Sequence, residues 1–531
     1  MVWADRIVGE IEKRFTQKIA QKQTLIIRDE KTLSGRVHVG SLRGIAIHGL
    51  LSEVLTEKKI ANVFRFELND FDPMDEIPRT LERTTYEKYM GQPLFTVPPH
   101  EPTAATYPLV FGTELQGVVA ELGFAIEYYR LEPEYVGGKF NGVIREALDH
   151  AKEIRDIYRE VSGSVKPDDW YPLQVICEKC GKVGTTQVTE WKGTTVKYAC
   201  KKDLVKWAQG CGHTGSVSPF DGHAKLPWKV EWPAKWKVFG VDIEGAGKDH
   251  SAAGGSREIG KRIVEEVFHY PEPFDIPYEF FNIAGKKMSA SKGLGASAKE
   301  ISDLLPPTLL RLLMIRKQPN QPLDFDPEGT TIPTLFDEYD RLADHFFKRH
   351  PKPEEDFART YALCQKTFPT TTKDVWHMRF SLAAFLVQMP HLNVEEEGAN
   401  LKGSPLNADD RADMAERLTY ARKWIEGYAP EKYQFGISAI PSRAEEREKL
   451  SAEQKKALAE VQKRLAALSS DQWNGKNIHE IIHAVKKDLN VQPQVLFQPL
   501  YRIFLNRDDG PQAGWFLSTI KRDDVLKSIE M

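Results

Sequence analysis

The chain has 531 residues, 41% hydrophobic and 28% charged, with a net charge of −3. That length implies about three or four domains with sizeable cores, and the composition is that of a globular protein, not a disordered or collagen-like one. The near-neutral balance excludes a globally basic nucleic-acid binder, so any polyanion must meet local basic faces. No run of eighteen apolar residues occurs, and Met1-Val2-Trp3-Ala4-Asp5 is not expected to open a signal peptide. Four of the five cysteines fall between Cys177 and Cys211, which points to metal binding in a reducing compartment, the cytoplasm.

Residues 1–23 read as an amphipathic lead-in helix, with Ile7, Ile11 and Phe15 at helical spacing. An apolar strand at 24–29 leads through the loop Ser34-Gly35-Arg36-Val37-His38-Val39-Gly40-Ser41 into a helix at 42–56. A strand at 61–68, a helix at 113–122 and a strand at 124–130 continue the alternation, the pattern of a doubly wound parallel sheet. Ligands of such sheets sit beyond the carboxyl ends of strands, where the His38 loop falls. A long helix at 142–161 precedes a cysteine-rich β segment at 171–219. A Trp-rich stretch at 226–236 and a strand at 238–243 then resume the sheet, so the cysteine module reads as an insertion.

After Lys292 the pattern is helical, at 299–304, 308–315, 333–349, 354–366 and beyond. The region 445–468 is charge-laced and expected to be exposed on one face, and Arg349-His350-Pro351-Lys352-Pro353 is the best linker. The expected architecture is α/β. A Rossmann-like catalytic domain spans 1–280, with an insertion at about 85–225 that contains the zinc module at 171–219. A catalytic-loop and connecting helical domain follows at 281–348, then an all-α domain at 349–531.

The chemistry centres on two separated loops. A histidine near a phosphate can donate to its oxygens as charge builds in a transition state, and Gly35 and Gly40 permit the tight backbone around His38. The second loop, Lys286-Lys287-Met288-Ser289-Ala290-Ser291-Lys292-Gly293, brings cations and hydroxyls, and its lysines can follow a departing pyrophosphate. Gly247-Lys248-Asp249-His250 is not a phosphate-binding P-loop, because Asp242 stands where its first glycine belongs and Asp249 fills the Ser/Thr place. Asp249 and His250 instead suit contact with a nucleoside or an amino acid.

Cys177-Glu178-Lys179-Cys180-Gly181 has the form of a zinc knuckle, which Cys200 and Cys211 complete, with His213 as a rival fourth ligand. Cys364 stands alone and is expected to be buried. His479-Glu480-Ile481-Ile482-His483 matches a metalloprotease pattern, but no downstream histidine follows and the only later glutamate is Glu530. It reads as an ordinary amphipathic helix.

The two loops, in this order and at this separation, resemble the signatures of class I aminoacyl-tRNA synthetases. Trp228 to Trp236, Gly247 to Ser256, Leu305-Pro306-Pro307, Asp324-Phe325-Asp326, Phe336 to Leu342 and the closing segment from Leu500 extend the likeness to class I lysyl-tRNA synthetases over nearly the whole chain. The resemblance implies activation of L-lysine by ATP with Mg²⁺, then transfer to the terminal adenosine of tRNA(Lys), on its 2′-hydroxyl. It implies catalytic roles for His38, Lys287 and Lys292, and ATP contacts from Gly35, Gly40, Ser41, Asp249, Met288 and Ser289. Trp228, His250 and Tyr278 would surround the lysine; Asp29 or Glu30, in a segment that departs from the family, is a candidate partner for its ammonium. Structural Zn²⁺ on Cys177, Cys180, Cys200 and Cys211, and a helical anticodon-binding domain at the C-terminal end, complete the expectation.

The sequence departs from that pattern in three places. Ser41 stands where the general class I signature has its second histidine, and Ala290 where it has a lysine, which puts Lys292 in that role. The charged run Arg28-Asp29-Glu30-Lys31 replaces smaller residues beside the amino-acid pocket. A glutamyl enzyme, with Arg28 or Arg36 meeting the substrate carboxylate, and a non-catalytic tRNA-binding relative are the alternatives.

Overall fold

A parallel sheet organises the first half of the chain in the computed structural model, which describes residues 2–102, 104–287, 297–366, 373–389, 393–434 and 440–531 (backbone only at 286–287 and 440–442). β1 (Leu25–Thr32) pairs in parallel with β2 (Asn62–Asn69), from Leu25 opposite Asn62 to Thr32 opposite Asn69. β2 pairs in parallel with β3 (Glu127–Arg130). On the other side of β1, Ile243 makes parallel bridges to both Ile27 and Phe274. The spatial order is therefore β3, β2, β1, Ile243, Phe274, and the chain reverses direction of travel across the sheet beside β1. That reversal opens the crevice in which doubly wound sheets bind ligands.

The sheet forms where apolar β-formers alternate. Leu25 and Ile27 of β1, and Phe64, Phe66 and Leu68 of β2, are buried. The signature helix, Ser41–Glu57, is buried on nearly every side, from Leu42 to Leu55, as a helix packed between sheet and neighbours must be. Its close fit requires small residues: a Cβ on Gly49 would lie 2.5 Å from Phe124.

Several elements differ from the sequence reading, each for a local reason. The helix expected at 113–122 begins at Tyr107, because Pro108 in its first turn starts a helix well. The helix expected at 142–161 is two, Asn141–Asp149 and Ala151–Ser162, divided at His150 (φ −106°, ψ 27°). The strand expected at 238–243 is largely absent. Val238 and Phe239 end the tryptophan helix, Trp228–Phe239, which Gly240 terminates at φ 66°, and only Ile243 reaches the sheet. The charge-laced region 445–468 breaks where Ser451 caps Ala452–Ala466 in a reciprocal bond with Gln454.

The cysteine module is a small antiparallel sheet of Thr186–Trp191, Val196–Cys200 and Thr214–Val217. The chain divides into two compact units, Met1–Phe325 with Arg341–Thr372, and Asp326–Asp340 with Lys373–Met531. The second is helical. In it Trp424 and Arg417 are buried on Ala408–Gly427, where Arg417 donates to the Met378 carbonyl at 2.9 Å and pairs with Asp340. The His479 and His483 rings lie 4.2 Å apart on helix Gly475–Asp488, against Trp515 and Phe497. Among the described residues, no helix is long and apolar enough to cross a membrane.

Candidate active site

A cavity of about 360 Å³ lies beyond the carboxyl end of β1. The strand supplies Asp29, Glu30 and Lys31 to its wall, and the loop that follows supplies His38, Gly40 and Ser41. Gly247, Asp249, His250 and Tyr278 close the far side. The loop turns tightly into the signature helix, with the Ser41 amide donating to the His38 carbonyl at 3.0 Å. The helix N-terminus thus opens onto the cavity, a placement that favours an anion.

His38 is the most exposed to chemistry of these groups. Its Nδ1 is buried and has no hydrogen-bond partner among the described residues, a deficit that a ligand would remove. Burial, and then the nearby Lys31 cation, hold its pKa down to about 4. The imidazole is therefore neutral at pH 7, with one N–H to donate.

The second signature loop lies outside the described residues at Met288, Ser289 and Lys292, as does the side chain of Lys287. Both flanks of that loop are described, and each is bonded to a segment that lines the cavity. Lys286–Lys287 pairs with Phe281–Ile283, and Phe281 lines the cavity. On the return, Ser297 forms a backbone bridge with His38, and the Ala298 amide donates to the Val37 carbonyl at 2.8 Å. Two stretches some 250 residues apart in sequence are thus joined at one site.

Where the signature helix passes β1, Asp29 Oδ2 is 3.3 Å from His48 Nδ1, which also donates to the Gly44 carbonyl at 2.8 Å. The Gly245 amide donates to His48 Nε2 at 2.8 Å, which fixes the neutral tautomer. A Cβ on Gly44 would lie 2.7 Å from both Asp29 Oδ2 and the Tyr278 hydroxyl, so glycine lets the helix approach this carboxylate–phenol pair. Burial, then the Asp29 charge, raise the Tyr278 pKa, so the phenol keeps its proton. Trp228 stands behind the wall, its ring 5.2 Å from that of His250, and Gly35 packs toward Pro78, where a Cβ would sit 3.2 Å away.

Beneath the cavity lies a buried ion network that the sequence did not announce. Arg28, fully buried, donates to Glu67 at 2.7 Å, Glu244 at 2.8 Å and the Tyr129 hydroxyl at 2.8 Å, and also reaches Glu30. Lys235, equally buried, donates to Glu30 at 2.7 Å and Glu67 at 2.6 Å. Burial alone would raise the Glu30 pKa, but the Lys235 and Arg28 cations hold it far below the usual carboxylate range. Trp232 and Trp236 complete the floor by donating to Glu244 at 2.8 and 2.9 Å.

Away from the cavity, the sulfurs of Cys177, Cys180, Cys200 and Cys211 lie within 4.8 Å of one another, and this is the group among the described residues that could hold a metal ion. His213 instead offers its carbonyl to the Cys200 amide at 2.8 Å. Cys364 is buried and in no disulfide.

The family model for tRNA synthetases class I (K) matches residues 1–367, and that for an anticodon binding domain matches 412–531. The chain is 32% identical to a lysine--tRNA ligase of Thermoplasma acidophilum over 532 residues, covering 100% of this chain and 98% of that protein. It is 32% identical to a lysine--tRNA ligase of Methanocaldococcus jannaschii, covering 99% of each. It is 30% identical to one of Pyrococcus furiosus, covering 100% of this chain and 99% of that protein.

Proposed function

The chain belongs to the tRNA synthetases class I (K) family, and from that premise we infer that it is a lysine--tRNA ligase that activates L-lysine with ATP and charges tRNA(Lys). The observation that carries this reading is one cavity lined by two chemically distinct groups of residues. Neutral His38 and a helix N-terminus form one, and Asp29 with Tyr278 forms the other.

In the first step a lysine carboxylate oxygen attacks the α-phosphorus of ATP. The bond to the bridging oxygen of the β-phosphate breaks, and pyrophosphate leaves with that electron pair. His38 donates its N–H to phosphate oxygens as their charge grows. Gly40 and Ser41 keep the backbone close to the nucleotide, and Lys287 and Lys292 follow the leaving pyrophosphate. ATP arrives as its Mg²⁺ complex, which neutralises phosphate charge when bound, and Asp249 is the wall carboxylate of the type that ion takes. In the second step the 2′-hydroxyl of the tRNA terminal adenosine attacks the lysyl carbonyl, and AMP leaves. The tRNA is read through the helical segment matched at 412–531.

Asp29, not Glu30, meets the substrate ammonium in this reading, because Glu30 is already bound by Lys235 and Arg28. The aromatic faces of Tyr278 and His250 suit a cation beside it. The glutamyl alternative requires a guanidinium for the substrate carboxylate. Arg28 is held by Glu67, Glu244 and Glu30, and Arg36 by Glu114 at 2.8 Å. The four cysteines would hold a structural zinc ion in a ribbon inserted into the sheet domain. Tetrahedral thiolates at about 2.3 Å from zinc stand about 3.8 Å apart, and Cys177–Cys211 and Cys180–Cys200 are each at 3.7 Å.

Amino-acid-dependent ATP–pyrophosphate exchange, run with each standard amino acid and followed by charging of tRNA(Lys), tests the reading. Lysine is expected to exceed glutamate by roughly 100-fold or more in kcat/KM, as a site with a buried charge partner discriminates. Exchange driven by glutamate would overturn it.

A further inference from the structure

Three consecutive charged residues, Asp29, Glu30 and Lys31, reach the cavity wall from the end of β1. Two of them already have partners. Asp29 sits 3.3 Å from His48 Nδ1, and Glu30 accepts from Lys235 at 2.7 Å. The Lys31 ammonium has no ion pair and no hydrogen bond among the described residues. It is half-buried, and burial pushes its pKa down against the weaker pull of Asp29 and Glu30. An ammonium kept in a concave site without a counter-ion is unfavourable until a ligand supplies one.

Its position says which ligand group that is. Lys31 lies two residues past Asp29 along β1, roughly 6.6 Å at strand rise, and so on the side of the cavity toward the loop that carries His38. Its charge is felt at His38, where it adds to burial in lowering the imidazole pKa. Asp29, packed with Tyr278 against Gly44, precedes Lys31 on β1, and His38, Gly40 and Ser41 follow in the loop after the strand. With the substrate ammonium at Asp29, the next group toward His38 is the reacting carboxylate–phosphate junction.

We propose that Lys31 is a fixed phosphate-binding residue, holding the α-phosphoryl oxygens of ATP and of the aminoacyl-adenylate beside His38. The inference rests on the ligase reading of the same cavity. Lys31 forms no covalent bond and transfers no proton. Its ammonium balances the charge that collects on the α-phosphoryl oxygens while the carboxylate adds and pyrophosphate departs. Being on a strand, it needs no reorganisation, whereas the second signature loop supplies cations to the leaving group.

AMP carries only the α-phosphate, so it isolates this contact. Equilibrium binding of AMP and of inorganic pyrophosphate is measured on the full chain as wild type, Lys31→Met and Lys31→Arg. AMP is expected to bind at least about tenfold more weakly to Lys31→Met, with most affinity restored by Lys31→Arg and pyrophosphate binding changed less than about threefold. Unchanged AMP binding overturns the proposal, as does an equal loss for both anions. In the exchange assay Lys31→Met is expected to raise the ATP KM or lower kcat, with the lysine KM within about threefold. A rise confined to the amino-acid KM overturns the proposal in favour of contact with the amino acid. Should no amino acid support exchange in the wild type, the ligase reading fails, and AMP binding still decides the role of Lys31.

Discussion

Arg28 and Glu30 alternate along β1 with Asp29 and Lys31, and the two pairs are treated in opposite ways. Arg28 and Glu30 belong to a closed network, in which every charge is met by Glu67, Glu244 or Lys235 inside the protein. Asp29 is paired with no lysine or arginine among the described residues, only with the His48 imidazole and the Glu30 amide, and Lys31 touches no described counter-charge. The same residue types one position apart thus build a floor on one side and an open site on the other. Charge alone does not mark a functional residue, but charge left unanswered in a concave wall does.

The sharpest way to break that contrast is at the site's mouth. His38→Ala is expected to lower the rate of lysyl-adenylate formation by roughly 10²–10⁴-fold, the range for removing a group that acts on developing charge. Single-turnover adenylate formation measures this, while equilibrium lysine binding should change less than about threefold. Because the His38 pKa is already down at about 4, the imidazole is neutral at pH 7 and loses that state only as pH falls toward 4. The wild-type rate should therefore show no His38 ionisation between pH 6 and 8. Near-normal turnover of the variant would remove His38 from the mechanism.

The floor should respond through stability instead. Lys235→Ala leaves Glu30, Glu67 and Glu231 without their shared buried cation, and breaking such a buried set costs about 3–5 kcal/mol. Urea unfolding, followed by fluorescence of Trp232 and Trp236 in the floor, reports it. Lys235→Met combined with Glu67→Gln should recover part of that loss, since removing charge from both sides leaves fewer unpaired groups. An Ala variant as stable as the wild type would show that the network is not closed.

Much of this site was legible from local pattern. The helix after the glycine-flanked His38 loop appears within one residue of its expected limits, and the apolar strand starts one residue late and runs three residues further, to Thr32, since strand, turn and helix signals are all short-range. The cysteine spacing likewise brings four sulfurs together. What escaped joins residues far apart. Lys235 acts on Glu30 across 205 residues and Arg28 on Glu244 across 216, and no window of sequence pairs them. His48 sits in an apolar helix, where a histidine reads as core; only Gly245, 197 residues away, fixes its tautomer. Val238 and Phe239 favour strands by propensity, yet the helix begun at Trp228 runs through Pro233 and claims them before Gly240 stops it. Tertiary packing decided each of these cases.

The smallest expected effect tests the boundary between floor and site from the helix side. Gly44 lies where the signature helix passes Asp29 and Tyr278, and an added Cβ would stand 2.7 Å from an oxygen of each. Neither neighbour can yield freely: Asp29 also accepts from the Glu30 amide at 2.8 Å, and Tyr278 is on a strand paired to Gly247. Gly44→Ala gains up to about 1 kcal/mol of intrinsic helix propensity, which offsets part of the crowding in overall stability. It cannot offset displacement of the carboxylate from the substrate ammonium. The lysine KM should therefore rise roughly tenfold, equivalent to about 1.4 kcal/mol of lost binding, while the ATP KM and the melting temperature stay nearly constant. A change in ATP KM with lysine KM untouched would place the ammonium elsewhere and reassign Asp29 to the floor.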